Sequence, residues 1–517
     1  MAGSVQHPRP RALLPCVACA LVIAASSPAH ASPLFELLGG VGGEAGLNGR
    51  IAGPSAASTY FDPALLPRAE PGVQTGVFVL SDAIQLSLDG RSGVDVPTAY
   101  RGATHADGSV FSQPSLPTRW LTQGCKPPEC TPSLVARPRQ SDGSSNGLHA
   151  YQSLGLVAAI VPKRLVFGVY ALVPLSQFTT AHSFFVDERE QFFTNSLHPE
   201  LYADRLTATS LAFGLGGRLT SRLSLGVALA LGLRNTARAE TFVGNADDLS
   251  HSLVLTDNVG VETTFSPHFA AVYDATERLR FSVTAHSTER FAIRSAVSTF
   301  LPDGNRQTAV RTAIHDYMPW RVGLGASFDV LGHDPAQLSP SHELSLCATA
   351  VASLWSDYLD RQGDRPLTGY GWSNTVSVGL GARHSYGNLH SFLDFLFVPT
   401  PVPPQTGRTN YVDNDRISAA GGVEYDFRLL GAKLRAGALA QVHVLLPRDQ
   451  RKLDPTDPDY AGQKASLVRD EFPDDAVDTR GDPIPSAKGL QTNNPGWPGF
   501  SSRGLLLGGG LTLAALF

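Results

Sequence analysis

The sequence predicts an all-β protein: a 14-stranded antiparallel transmembrane β-barrel with a small N-terminal plug in its lumen. Three observations carry this expectation. In 209–235, Leu211, Phe213 and Leu215, and then Leu223, Leu225, Val227, Leu229, Leu231 and Leu233, are apolar at every second residue, with Gly, Ala, Ser and an occasional Arg between them. Period two means strand. A face of small residues opposite a face of leucines suits a wall with lipid outside and a crowded lumen inside, whereas a soluble sheet would carry Lys, Glu and Thr on its outer face. The connections between such stretches alternate short and long, as the two rims of an outer-membrane barrel do. The chain also ends on Phe517, an aromatic closing an amphipathic strand.

The totals narrow the alternatives. At 517 residues a soluble chain would divide into about three domains, but no linker composition divides this one. A net charge of −5 and a pI near 6.3 give no electrostatic reason to expect a nucleic-acid partner. A mean hydropathy of −0.04 is compatible with a barrel, because alternating strands average out. Past the N-terminus no apolar run reaches the ~18 residues that a membrane-crossing helix requires.

In chain order, residues 1–31 read as a secretory signal, with a basic start (His7, Arg9, Arg11), an apolar stretch and an Ala29-His30-Ala31 cleavage site. Residues 32–71 do not alternate and read as the plug. Seven glycines fall between 39 and 53, and Tyr60-Phe61-Asp62-Pro63-Ala64 holds a turn-favouring Asp-Pro. Residues 72–517 read as the barrel with its long extracellular loops. The strands expected are 72–90, 148–161, 165–178, 205–219, 223–238, 258–273, 279–294, 312–330, 341–356, 373–385, 390–398, 416–429, 432–446 and 503–517. Cys125 and Cys130 share a polar loop of a chain bound for an oxidising compartment and are expected to form a disulfide. A zinc site there would lack two further ligands nearby. Cys347 reads as a small wall residue.

The chemistry expected is binding. The chain holds no H-E-x-x-H, and neither enzymatic activity, nor a cofactor, nor a metal is expected. Phe178, Phe184, Phe185, Phe192 and Phe193 crowd the second long loop, either as a capture site for apolar ligands or as packing for that loop. Arg218, Arg234, Arg280, Arg290, Lys433 and Arg435 fall on the lumen face and are candidates for holding a carboxylate. The alternative for them is neutralisation by acidic wall or plug residues, as where Glu424 and Asp426 lie across a short turn from Lys433 and Arg435. His268, His286, Arg321, Arg383, Asp394 and His443 also fall on that face. Loop 447–502 is acidic and reads as solvated charge.

The run of small residues leading to Tyr60-Phe61-Asp62-Pro63-Ala64, and Val-Tyr-Ala-Leu-Val-Pro-Leu at 169–175, resemble segments of the FadL-type outer-membrane transporters of long-chain fatty acids and other hydrophobic compounds. The first is similar to the aromatic-Asn-Pro-Ala segment of that family's plug, with Asp62 standing where the motif has asparagine. The second is similar to the third strand's approach to Pro-Phe-Gly, with Leu175 and Ser176 following Pro174. Pro319 and the segments 344–355 and 415–425 resemble later strands more weakly. The resemblance covers most of the mature chain. It implies a 14-stranded barrel, an N-terminal hatch, no enzymatic activity and a lateral exit for the ligand. Pro174 independently suggests where, since proline cannot donate a ladder hydrogen bond and is confined in a closed barrel to a bulge or break. A gap in the wall beside Pro174 is therefore expected. The whole reads as a monomeric channel of the Gram-negative outer membrane, surrounded by membrane lipid and taking up hydrophobic small molecules. A polar-solute porin and a surface-binding or structural barrel using loops 91–147 and 447–502 are the alternatives. The glycine-rich plug and the apolar second loop favour the first reading, because a polar pore needs neither.

Overall fold

The computed structural model describes residues 34–88, 146–175, 198–199, 209–232, 235–243, 253–261, 264–300, 306–331, 342–359, 365, 371–404, 411–451 and 499–517. Twenty strands follow one another there: β1 (Gly72–Leu88), β2 (Asn146–Val161), β3 (Leu165–Pro174), β4 (His198–Pro199), β5 (Ser210–Arg218), β6 (Leu223–Gly232), β7 (Asn235–Val243), β8 (Leu253–Val261), β9 (Thr264–Asp274), β10 (Leu279–His286), β11 (Glu289–Phe300), β12 (Arg306–Met318), β13 (Arg321–Leu331), β14 (His342–Ser353), β15 (Thr375–Tyr386), β16 (Leu389–Val398), β17 (Tyr411–Val412), β18 (Arg416–Leu429), β19 (Ala432–Arg451) and β20 (Gly499–Leu516). Fourteen of them close a barrel in the order β1-β2-β3-β5-β6-β9-β10-β13-β14-β15-β16-β18-β19-β20. β20 returns antiparallel to β1, from Gly72 opposite Leu516 to Leu88 opposite Phe500. The expected strand count and all fourteen placements are found, with ends that shift.

Alternation decides which face each residue takes. In β5 and β6 the small set Ser210, Ala212, Gly214, Gly216, Ser224, Gly226, Ala228 and Ala230 is buried toward the lumen, while Leu211, Phe213, Leu225 and Val227 face out. Around the wall Val77, Phe281, Leu324, Leu380, Phe395, Val423 and Leu511 are exposed in the same way. Tyr273, Phe328, Tyr386 and Tyr425 form an aromatic rim near the short turns. Water would not tolerate such a belt on a monomer. A closed ladder with no free edge inside an apolar band is the form in which a sheet crosses lipid, so the barrel belongs in the outer membrane of a Gram-negative cell. At the short-turn rim, Leu430 and Gly431 join β18 to β19 with φ of 53° and 85°, the all-positive pair of a two-residue hairpin turn.

Four expected strands need correction. Each of 223–238, 258–273, 279–294 and 312–330 is expected as one wall strand, and each runs across two elements. β7, β8, β11 and β12 form a separate four-stranded sheet in the order β12-β11-β8-β7, built from the two long connections on either side of β9 and β10. The alternation of Val, Thr, Ser and Ala runs on past the barrel end, and period two does not mark where lipid stops. Pro319, without an N–H, separates β12 from β13.

Inside the barrel lie α1 (Leu34–Leu38), a glycine-rich turn region, α2 (Ser58–Phe61) and a 3-10 helix (Pro63–Arg68). Asp62 caps the 3-10 helix by accepting a hydrogen bond from the Ala64 amide at 2.9 Å, with Pro63 in the first helical position. This segment shares one apolar cluster with the wall: Leu34, Phe35, Leu37, Leu38 and Tyr60 pack with Phe78, Tyr151, Tyr170, Leu172 and Leu506. A Cβ at Gly216 or Gly226 would collide with the backbone at Pro63 and Ala64, so the small face seen in the sequence is the seat of the inner segment.

Candidate functional site in the lumen

Two polar clusters tie the inner segment to the wall. The first uses β15 and β16. Asp394 receives Arg383 Nη1 at 2.7 Å, the Leu47 amide at 2.8 Å and Asn48 Nδ2 at 2.8 Å, while Arg383 Nη2 donates to the Ala45 carbonyl at 2.9 Å. Asp394 is fully buried, and every partner is a donor that its charge requires.

The second cluster uses β9, β10 and β13, where the register sets His268, His286 and Arg321 side by side. The two imidazoles stack with centroids 3.8 Å apart. His268 Nδ1 lies 3.2 Å from the Tyr60 carbonyl and its Nε2 lies 3.0 Å from Glu289 Oε1. His286 Nε2 lies 3.3 Å from the Phe61 carbonyl. The Tyr60 hydroxyl donates to Glu289 at 3.0 Å, and Arg321 Nη2 pairs with the same carboxylate. From the inner segment Glu36 Oε1 receives two guanidiniums, Arg50 at 2.6 Å and Arg321 at 2.7 Å. Burial alone would raise the Glu36 carboxyl, but Arg321 and Arg50 outweigh it and hold it down at about 2. Asp62 has no such pair. Burial pushes its carboxyl up to about 7, against hydrogen bonds from Ser282 Oγ (2.5 Å) and the Ala64 amide and the more distant charge of Arg50.

His268, His286 and Glu289 each place a ligand atom within 4.8 Å of the others, a spacing that suits a divalent cation. Arg321 sits on Glu289, and Arg50 and Arg321 both sit on Glu36, so the two carboxylates are already balanced and a cation would face two guanidiniums. The cluster is an ion-pair network by its charge count.

Beside it lies a cavity of about 90 Å³. Its polar wall includes Glu36, Arg50, Arg321, Asn414 and Arg416, and its apolar wall includes Leu37, Leu47, Phe61, Met318, Val351, Trp355, Leu396 and Val398. Trp355 belongs to an aromatic group with Tyr317, Tyr358, Trp372 and Tyr411, in which Tyr358 stacks on Trp372 at 3.5 Å.

Among the residues singled out in the sequence, Tyr60, Phe61, Asp62, Pro63 and Ala64 are all buried in the lumen. Pro174 is the buried last residue of β3, opposite Tyr151 of β2. Among the described residues the pairing of β3 with β5 ends two residues earlier, at Leu172 and Ser210. Of the basic candidates, Arg280 pairs with Asp274, which also receives Arg68, while Lys433 and Arg435 pair with Asp426 and Glu70. Arg218 donates to the Ser221 carbonyl at 2.7 Å, and Arg290 stands opposite Tyr317 in the β11–β12 hairpin. Residues 1–31, the cysteines Cys125 and Cys130, Arg234 and the loop aromatics Phe178, Phe184, Phe185, Phe192 and Phe193 lie outside the described residues. Cys347 is a buried free thiol in β14. Sequence reasoning found the lumen positions of His268, His286 and Arg321 but missed Glu36, Arg50 and Glu289. Charged residues within the otherwise apolar run 34–38 and the glycine-rich turn region were the only available signal.

No family model and no curated protein matches this chain. Solved structures do. The chain is similar to a Pseudomonas aeruginosa FadL homologue, with a TM-score of 0.49 and 13% identity over 95% of this chain and 98% of that one. It is similar to the Ralstonia pickettii toluene transporter TbuX, with a TM-score of 0.41 and 12% identity over 94% and 99% of the two chains. The P. putida toluene transporter TodX gives a TM-score of 0.41 and 12% identity over 89% and 94%. The likeness is one of fold.

Proposed function

We propose that this barrel is an outer-membrane channel for hydrophobic compounds, with long-chain fatty acids as its foremost substrates. Ligand is captured at the extracellular loops, held in the lumen and released sideways through the wall. The observation that carries this reading is what fills the lumen. At the level of α1 and Tyr60 it is a packed apolar core that includes Phe35, Tyr170 and Leu506, and the cavity beside it has aliphatic and aromatic side chains along part of its wall. A pore for polar solutes needs a continuous water-filled lumen, which such a core interrupts. Arg50, Arg321 and Arg416 in its lining suit a carboxylate head, and the apolar part of its wall suits an alkyl tail. The relatives of similar fold include proteins described as toluene transporters, which accords with a hydrophobic cargo.

Support for the lateral exit comes from strand pairing. Among the described residues the β3–β5 ladder ends at Leu172, short of Pro174, and Tyr170 on β3 donates its hydroxyl to the Gly39 carbonyl at 3.4 Å and accepts the Val41 amide at 3.1 Å. Movement of the inner segment would therefore be felt by the strand that holds Pro174. A disulfide engineered between β3 and β5 above Leu172 tests this step. Loss of fatty-acid uptake on oxidation, restored by reductant, is the expected outcome, and uptake at the native rate in the oxidised barrel contradicts it.

A further inference from the structure

We infer that Arg50 and Arg321 form a carboxylate-binding site whose resident occupant is the protein's own Glu36, and that the head group of an ionised long-chain fatty acid takes Glu36's place there. This rests on the reading of the barrel as a channel for hydrophobic compounds and adds the head-group chemistry and the residues that select it.

The geometry has the form of a site already occupied. Two guanidiniums from different elements, one on the inner segment and one on β13, converge on a single oxygen, Glu36 Oε1, at 2.6 and 2.7 Å. Both arginines are buried, Arg321 to within 2% of full burial, and the Nε atoms of both have no hydrogen-bond partner among the described residues. His286 Nδ1, also buried and without a hydrogen bond among the described residues, lies 3.8 Å from the same oxygen. Glu36, Arg50 and Arg321 all face the cavity. The second carboxylate differs. Glu289 is fully buried, does not line the cavity, and is fixed by Tyr60, His268 and Arg321 together. Of the two acids, Glu36 is the one an incoming group can reach.

Charge conservation decides what can replace it. Arg50 and Arg321 are balanced by Glu36 and Glu289, and removing one carboxylate alone strands a buried cation, which is strongly unfavourable. Exchanging one carboxylate for another keeps the count when the displaced Glu36 side chain, already 15% exposed, turns out of the pair into water. A neutral hydrocarbon or an ester cannot make this exchange. Nor does a proton release Glu36 in the physiological range, since its carboxyl is held at about 2. Leu37, Leu47, Met318, Trp355, Leu396 and Val398 supply the apolar surface for the chain behind the head group. Exchange also has a mechanical consequence. Glu36 sits on α1 next to Phe35, which stacks on Tyr170 of β3 with centroids 4.9 Å apart. Freeing Glu36 loosens α1 where it touches the strand ending at Pro174.

The test compares oleate with methyl oleate by equilibrium binding to the purified full-length barrel, in wild type, Glu36→Gln and Arg50→Gln, with heat-modifiable gel migration reporting that each barrel is folded. Wild type is expected to prefer oleate. Glu36→Gln, which removes the internal competitor, should tighten oleate binding roughly tenfold and leave methyl oleate unchanged. Arg50→Gln should weaken oleate roughly tenfold and again leave the ester unchanged, and it decides the matter alone if Glu36→Gln does not fold. Equal binding of acid and ester in all three proteins overturns the head-group site while leaving a hydrophobic channel standing. Binding of neither ligand to wild type overturns both.

Discussion

The wall holds the inner segment in two different ways on two neighbouring faces. At β5 and β6 the grip is shape. Gly216 and Gly226 bring wall backbone against the backbone of Pro63 and Ala64, and Gly214 brings it against Thr59. At β9, β10 and β13 the grip is polar: His268 and His286 contact the Tyr60 and Phe61 carbonyls, and the charge of Arg321 pairs with Glu36. A shape contact has no alternative partner and serves as an anchor. A charge contact can be exchanged for another of the same sign, and serves as a latch. The pairing of a fixed side with an exchangeable side is what a channel needs if its inner segment is to yield to ligand without leaving the barrel.

The comparison is broken most severely on the fixed side. Gly226→Leu places a branched side chain where Pro63 and Ala64 lie, with wall backbone behind it, and should unseat the segment. Liposome swelling by small sugars should rise several-fold over wild type, and unchanged swelling would mean that the anchor is elsewhere. On the latch side Arg321→Met leaves Glu36 and Glu289 short of a cation. It should lower stability by about 3–5 kcal/mol, as is typical for one partner lost from a buried ion pair. Reversible urea unfolding in detergent measures this. The double variant Arg321→Met with Glu289→Gln should recover part of the loss, and a purely additive result would deny the coupling.

A subtler change separates the two faces by pH. Asp62, joining the 3-10 helix to Ser282 of β10, has its carboxyl raised from 3.8 to about 7 when seated. The seated state then binds more protons than the released one, so seating weakens as pH rises from about 4 to about 7 and is level above that. Asp62→Asn should abolish this dependence and seat the segment more firmly at neutral pH. Protease access to residues 34–71 at pH 5, 6, 7 and 8 reads it out, and a slope retained by Asp62→Asn would assign the effect to another group. Glu36 has the opposite sign. Its carboxyl is lowered, so its contribution is complete above about 4.5 and fades only as pH falls toward 2. The smallest effect is expected at the short-turn rim, where Lys433 and Glu70 pair with side chains 40% and 48% exposed. Lys433→Ala should change stability by less than about 1 kcal/mol.

These two faces were not equally legible in the sequence. The anchor could be read, because Gly and Ala at alternate positions opposite leucines have few explanations other than a crowded inner surface. The strand count followed from the same periodicity, as did the lumen positions of His268, His286 and Arg321. The latch could not be read. Glu36 and Arg50 lie in a segment without a period, and Arg321, which pairs with Glu36, is more than 200 residues away in the chain. Glu289 lies just past the barrel end, where alternation continues without marking the change from wall to outer sheet. Asp62 stood out only as a departure from asparagine, and its significance depends on a burial that local sequence does not encode.

The central claim is that the lumen passes hydrophobic molecules and refuses polar ones of similar size. Uptake of oleate and of arabinose should therefore be measured side by side in the same proteoliposomes containing the wild-type barrel. The account predicts saturable oleate entry with arabinose entry no faster than in protein-free vesicles. Rapid arabinose entry through the intact protein, with oleate at the background rate, would contradict it.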